Sequence, residues 1–132
     1  MIVQDYLMRQ INQMIRMLLK MLFGLDMGTK ETGDIIEENS MEFDDLQLEQ
    51  LKGVLQMADD GKIGEAEDLL FDHASSGDLS SLKMGLIFYD YLNHKGDDFL
   101  TENDFSRDEV NQGLQDFLSQ YDISDDIKAL MR

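Results

Sequence analysis

The sequence predicts an all-α protein, folded as a helical bundle of about five helices. Apolar residues recur at the 3.6-residue period of a helix along most of the 132-residue chain, few segments alternate with the two-residue period of a strand, and proline is absent. Glycine lies mostly between the periodic segments. The length predicts a single domain over residues 1–132, and an apolar content of 42% is enough for a core of its own.

The N-terminal segment, residues 1–24, predicts a basic amphipathic helix that ends at Gly24. Its first 23 residues carry three Lys or Arg and one Asp, whereas the other 109 carry 8 Lys or Arg and 27 Asp or Glu, for a net charge of −17. The predicted apolar face consists of a main row and a flanking row: Leu7, Ile11, Met14, Leu18, Met21 and Leu25, then Met8, Ile15 and Leu22. The polar side opposite consists of Arg9, Asn12, Gln13 and Arg16.

Three roles are open for this helix. It can be one helix of the bundle, it can associate with a second copy of the chain, since two-fold homodimers are the commonest oligomers, or it can dock on an anionic membrane. Membrane docking is disfavoured because three cations are attached to a strongly acidic body, and those cations also interrupt the apolar run that a membrane span needs. The candidate interaction residues are Leu7, Arg9, Ile11, Met14, Arg16, Leu18, Lys20, Met21 and Leu22.

Among these residues, Met14, Leu18, Met21 and Leu22 are expected to contribute most of the contact area. Methionine is frequent in this segment, and it suits surfaces that adapt to a partner. The three cations are expected to set the orientation of the helix or to pair with the acidic body.

Residues 25–43 predict a linker, with a short turn at residues 34–38, because they hold glycines and charges and no sustained period. A connection of this length is unusual in a compact domain. It would allow the first helix to pack on its own chain or on a second copy. The acidic helical body then covers residues 44–132.

Two helices open the body. Asp44 or Asp45 is expected to cap the second helix, which ends at Asp60-Gly61. The third helix is expected from Ile63 to His73. The inward residues of the two helices are predicted to be Leu48, Leu51, Leu55 and Ala58, then Ile63, Ala66, Leu69 and Leu70.

The fourth and the last main helix follow. Asp78 is expected to cap a helix from Leu79 to about His94, and Gly85 within it predicts a close crossing with a neighbour. A capping box of Ser106 and Glu109, with Phe105 and Val110 as a hydrophobic staple, predicts the start of the last main helix. Its inner residues are predicted to be Val110, Leu114, Phe117 and Tyr121, Gly113 permits close approach, and a short helical tail is expected after Ser124.

The segment MADDGKIGEAEDLLF, residues 57–71, resembles half of a tetratricopeptide repeat. A glycine closes one helix at Gly61, Ile63 follows, and Glu65-Ala66 opens the next helix. The upstream half of the repeat motif is missing and no second copy follows at about 34 residues. The resemblance therefore implies a central antiparallel helical hairpin and no function.

The whole chain resembles a family of small acidic uncharacterised proteins from low-GC Gram-positive bacteria. The resemblance rests on QDYLMRQI, MIR and LFG in the first helix, GEAEDLL, FYDYLN, and LTENDFSRDEV. It implies a helical bundle and no established activity.

Composition excludes several chemistries. Because the chain has no cysteine, a disulfide, a zinc–thiolate site, an iron–sulfur cluster and a thiol nucleophile are impossible, which suits the cytoplasm. The strong acidity argues against nucleic acid and favours basic partners. No Gly-x-Ser-x-Gly elbow and no phosphate-binding glycine loop occurs, and no cofactor is expected.

The acidic segment 97–108 is the main candidate for a cation site, with His94 beside it. Its carboxylates do not follow the spacing of a calcium-binding loop, and neither histidine lies in a metal-binding pattern. Phe99, Leu100 and Phe105 indicate instead a loop anchored on the bundle.

The sequence therefore favours a non-catalytic, cytoplasmic protein-interaction or adaptor module that self-associates as a homodimer through its N-terminal helix. Two alternatives stay open: a small metal-binding or enzymatic protein that uses segment 97–108, and a peripheral membrane protein bound through the basic helix.

Overall fold

The computed structural model describes residues 2–24, 44–74, 77 and 79–121. Within these ranges the chain forms helices and no strands, so the predicted all-α class is confirmed. The helices are α1 (Ile2–Phe23), α2 (Asp45–Asp59), α3 (Ile63–Ala74), α4 (Leu79–Asn93), α5 (Asp97–Glu102) and α6 (Arg107–Leu118). The predicted linker 25–43, the Asp78 cap and the tail after Ser124 lie outside the described residues.

Helix α4 is the centre of the bundle and packs against α1, α2, α3 and α6. Every residue from Leu82 to Asp90 is buried. A helix that is buried all round needs apolar side chains on every face, and the segment LKMGLIFYDYLN comes close to that pattern. Leu82, Leu86 and Tyr89, which recur at steps of four and three residues, are among these buried residues.

Gly85 of α4 is the point where α6 comes closest. A Cβ atom at Gly85 would lie 2.9 Å from Cδ2 of Phe117 and closer still to Cε2 and Cζ of the same ring. The predicted close crossing is confirmed, and its partner is the Phe117 ring, which also packs against Phe71, Tyr89 and Tyr121.

Local capping explains where α2 and α6 begin. Asp44 accepts a hydrogen bond from the Gln47 backbone at 2.7 Å, and the Gln47 side chain accepts one from the Asp44 backbone at 3.1 Å, which completes a capping box. At α6 the predicted N-cap Ser106 accepts from the Glu109 backbone at 3.2 Å. The Glu109 carboxylate accepts from the Ser106 hydroxyl instead of the Ser106 backbone, so only half of the predicted box forms.

The acidic segment after α4 differs from the prediction of a loop, because residues 97–102 form α5. Gly96 is the N-cap, and two Asp in the first turn interact favourably with the helix dipole. Leu100 is buried, while Phe99 and Phe105 are partly buried against the core, so the predicted anchoring is confirmed.

One predicted core residue is wrong. Leu69 was expected to face inward with Leu70, but its side chain is 43% exposed. The buried row of α3 is Ile63, Ala66, Leu70 and Ala74, which follows steps of three and four residues and leaves Leu69 beside it.

Candidate interaction surfaces

Helix α1 packs on its own chain, against α4 and α6. Its fully buried residues are Ile11, Ile15, Leu18 and Leu19. The buried face is therefore centred between the two predicted rows, nearer to Ile15. Met21, predicted in the main row, is 49% exposed for this reason, and Leu19 was missed.

The predicted interaction residues separate into two groups. Ile11 and Leu18 belong to the core of the chain itself. Leu7, Met14 and Leu22 are partly buried at the edge of that core, and Arg16 is also partly buried. Arg9, Lys20 and Met21 are exposed. In this packing, these last three are the exposed members of the predicted set.

Arg16 does not lie on the solvent-facing side of α1, where the sequence pattern placed it. Its Nη2 atom lies 3.7 Å from Oδ1 of Asp90, whose side chain is fully buried, and its Nε donates to Oδ1 of Asn12 at 2.9 Å. Nδ1 of His94 lies 3.8 Å from the other Asp90 oxygen. The expectation that a cation of α1 pairs with the acidic body is confirmed for Arg16.

A second polar contact fixes α1 near the end of α4. The buried Asn93 side chain donates to the carbonyl of Met8 at 2.9 Å. The buried Arg107 donates to the Asn93 carbonyl at 2.6 Å and to the Lys95 carbonyl at 2.9 Å. Together with the Arg16–Asp90 pair, the directional Asn93–Met8 hydrogen bond sets the register of α1 along α4, and Arg107 holds Asn93 in place.

The side of α1 that points away from the bundle is called the outer face here, and its exposed residues are Tyr6, Arg9, Gln10, Gln13, Lys20 and Met21. Tyr6 is 58% exposed and accepts a hydrogen bond from Gln10 at 3.1 Å. These six side chains are two cations, two glutamines, a tyrosine and a methionine, with no carboxylate among them. This composition contrasts with a chain of net charge −17.

A second surface feature is an open groove of about 280 Å³ between α3 and α6, called the α3–α6 groove here. Its wall is apolar for the larger part. Eight residues line it: Glu67, Asp68, Phe71, Phe105, Glu109, Gln112, Gly113 and Asp116. Sequence reasoning named Gly113 as a point of close approach and missed the carboxylates around it.

Glu67 lies at the base of the α3–α6 groove, where the buried Tyr89 hydroxyl donates to its Oε2 at 2.7 Å. Burial raises the pKa of Glu67, and the Asp68, Glu109 and Asp116 carboxylates add to that rise, which exceeds the lowering by the Tyr89 hydrogen bond. A Cβ atom at Gly113 would lie 2.9 Å from the Tyr89 hydroxyl and closer still to Glu67 Oε2. The predicted close approach at Gly113 is confirmed.

The acidic segment 97–108 is tied to the bundle by its own contacts. Asp97 accepts a hydrogen bond from Arg107 at 2.7 Å. Across the part of the chain that the structure describes, no group of three or more His, Asp or Glu side chains is arranged to hold a metal ion. None of the described helices is both long and apolar enough to cross a membrane.

Next to this segment, Lys95 forms an ion pair with Asp59 and lies over the rings of Tyr91 and Phe99, 4.7 Å and 4.9 Å from their centroids. The Tyr91 hydroxyl donates to the same Asp59 oxygen at 2.7 Å. Burial raises the pKa of Asp59, but the hydrogen bonds from Lys95 and Tyr91 and the Lys95 charge outweigh it, so the pKa is lowered. This cluster joins the end of α2 to the end of α4.

Both surfaces lie within the part of the chain that matches a single protein family. A family of unknown function, DUF6483, matches residues 1–122. The chain belongs to this family. The expectation of an uncharacterised family is therefore confirmed, and the DUF6483 match covers α1 as well as the acidic body. No curated protein and no solved structure matches the chain.

Proposed function

We propose that this member of DUF6483 is a non-catalytic protein-interaction module that self-associates as a homodimer through the outer face of α1. The observation that carries the proposal is the exposure of Tyr6 and Met21, which lie on either side of the two exposed cations Arg9 and Lys20 along α1. Tyrosine and methionine are enriched in the cores of protein interfaces, where charged residues are depleted. Arginine is also enriched in such interfaces.

Charge supports this face over the others. Two copies with a net charge of −17 repel each other wherever carboxylates would meet. A contact through the outer face of α1 brings cations, glutamine, tyrosine and methionine together and leaves the acidic helices apart. Self-association through this face therefore costs less electrostatic free energy than association through the acidic body.

The spacing along α1 fits a two-fold antiparallel pairing. Tyr6, Gln13 and Lys20 are seven residues apart and share one side of the helix. If the two-fold axis passes at Gln13, Tyr6 of one copy faces Lys20 of the other, and the pair forms twice. A lysine ammonium over a tyrosine ring is attractive, so the same two residues that are exposed in one chain would be complementary in the dimer.

The proposal assigns different roles to the interaction residues that the sequence predicts. Met21, Arg9 and Lys20 would contact the second copy, Leu7, Met14 and Leu22 would contribute at the edge, and Ile11, Arg16 and Leu18 serve the packing of the chain itself. We further infer a cytoplasmic bacterial protein, in keeping with the absence of cysteine and with the family resemblance. We also propose that the α2–α3 hairpin is similar to half of a tetratricopeptide repeat, as its sequence predicts.

The solution mass across a dilution series tests the proposal. Light scattering is expected to give twice the chain mass of 15.2 kDa down to low micromolar concentration. The double variant Tyr6→Glu, Met21→Glu should then be monomeric. The matched control is Leu46→Glu, Leu79→Glu, which adds the same charge at two leucines that are 63% and 62% exposed outside α1.

The control should remain a dimer. A wild-type chain that is monomeric at every concentration would overturn the proposal. A dimer that persists in the α1 double variant would also overturn it, because the contact would then lie elsewhere, for example in an exchange of α1 between copies.

A further inference from the structure

We propose that the α3–α6 groove binds an arginine- or lysine-bearing segment of a basic protein partner, with the cationic side chain inserted into the groove. This site is separate from the outer face of α1, because it is lined by residues of α3 and α6 and by Phe105, just before α6. It would give the module a partner other than a second copy of itself.

The apolar wall of the groove favours an occupant that has an apolar part to cover it. Phe71 and Phe105 are partly buried at the edge of the core and line the groove. The Phe71 ring is held edge-on against Phe117, with centroids 5.8 Å apart, so this part of the wall is fixed by the core. The aliphatic stem of an arginine or lysine side chain covers such a surface while its charged end stays at the polar rim.

The carboxylates specify the sign of the occupant. Glu67 and Asp68 lie on the α3 side, and Glu109 and Asp116 lie on the α6 side. Like charges that face each other across a groove repel, and a cation placed between them removes that repulsion. Since guanidinium and ammonium groups donate several hydrogen bonds, two walls of carboxylate acceptors suit them.

The base of the groove is already organised. The Tyr89 hydroxyl donates to the Glu67 carboxylate, and Gly113 lets α6 approach these two side chains without the clash that a Cβ atom would make. A bare metal ion is a poorer match, since none of the described acidic side chains form a ligand group for it and the groove wall is largely apolar. A side chain that is apolar along its stem and cationic at its end matches both the apolar wall and the carboxylates of the groove.

A labelled peptide tests the site on the full chain. The probe is fluorescein-labelled Gly-Arg-Leu-Arg-Leu-Arg-Gly-amide, followed by fluorescence anisotropy at about 0.15 M salt, where long-range attraction is largely screened. The groove variant is Glu109→Gln, Asp116→Asn, and the matched control is Glu49→Gln, Glu102→Gln, which removes the same charge from exposed positions outside the groove. A third variant, Gln112→Trp, fills the groove without a change in charge.

We expect the groove variant to bind at least about fivefold more weakly than wild type, and the control to change by less than about twofold. Gln112→Trp should weaken binding like the groove variant, with an unchanged melting temperature. A peptide with citrulline in place of arginine should not bind.

Three outcomes would overturn the proposal. The first is no binding by the wild-type chain at about 100 µM, a concentration that would at least half fill a site with a dissociation constant of about 100 µM or lower. The second is equal loss in the groove variant and the control, because the peptide then responds to net charge alone. The third is displacement of the peptide by equimolar spermine, which would make the occupant a small polyamine. None of these results depends on whether the outer face of α1 forms a dimer.

Discussion

Arg16 of α1 reaches into the bundle and places its Nη2 atom 3.7 Å from Oδ1 of Asp90, the fully buried carboxylate of the central helix α4. This ion pair joins the most basic segment of the chain to its acidic body. A buried charge that loses its partner is costly, so the pair restricts how α1 can lie on α4.

Replacement of Arg16 should therefore destabilise the folded chain more than replacement of an exposed cation of α1. Arg16→Met is expected to lower the free energy of unfolding by about 3 kcal/mol, because it leaves the Asp90 carboxylate buried without the guanidinium. Urea denaturation followed by circular dichroism measures the change. The control, Arg9→Met on the exposed side of α1, should stay within about 0.5 kcal/mol of wild type. Equal stability of the two variants would contradict the prediction.

The Arg16–Asp90 pair also marks the limit of sequence reasoning. The apolar pattern of α1 allows either of its two rows to be the centre of the buried face. In the structure the helix is rotated toward Ile15 and Leu19, and this rotation moves Arg16 from the solvent side to the interface. The 3.6-residue apolar period predicts the helix and its amphipathic character. The angle of rotation depends on α4 and α6, whose packing is tertiary information.

Features that depend on local chemistry were predictable. The Asp44 and Ser106 caps need only residues three positions away, and the Gly85 and Gly113 approaches need only the absence of a Cβ atom. The α3–α6 groove was missed because Glu67 and Asp116 are 49 positions apart in the sequence. Only the fold brings such residues together. Helix α5 was missed because six residues are too few to show a period.

Gly85 and Gly53 have opposite surroundings, so replacing each of them with alanine should change the free energy of unfolding in opposite directions. Gly85→Ala should lower the free energy of unfolding by about 2 kcal/mol, because its Cβ atom would overlap the buried Phe117 ring. Gly53 lies in α2 with nothing within 4 Å of such an atom, so Gly53→Ala should raise the free energy of unfolding by about 0.5–1 kcal/mol. Thermal or urea melts of both variants test this. A stabilising Gly85→Ala would mean that the helices are not in contact there.

Leu18 and Met21 should respond differently to the same substitution. Leu18→Asp places a carboxylate in the core, where the side chain is fully buried, and is expected to cost more than about 4 kcal/mol. Met21→Asp, at a half-exposed position, should leave the fold intact. Circular dichroism at 25 °C separates the two. A folded Leu18→Asp chain would contradict the packing of α1 on its own bundle.

The Glu67 carboxyl at the base of the α3–α6 groove should make stability fall as pH rises through its titration. Its pKa is raised in the folded chain by burial and by the surrounding carboxylates. The folded state therefore favours the protonated form, and the destabilisation is absent below the ordinary glutamate pKa of 4.5 and complete above the raised value. Glu67→Gln keeps an acceptor for Tyr89 and removes the charge. It should stabilise the chain at pH 7 and lose that advantage at about pH 4.

Asp59 should change the stability of the chain with pH in the direction opposite to Glu67. Its pKa is lowered in the folded chain, where burial is outweighed by the hydrogen bonds from Lys95 and Tyr91 and by the Lys95 charge. Its contribution to stability is present above the ordinary aspartate pKa of 3.8 and is lost as pH falls through the lowered value. Asp59→Asn should therefore destabilise the chain at pH 7, with a difference that fades in acid. Urea melts of both variants at several pH values test the pair. Parallel pH dependences for Glu67→Gln and Asp59→Asn would contradict the opposite environments of the two carboxylates.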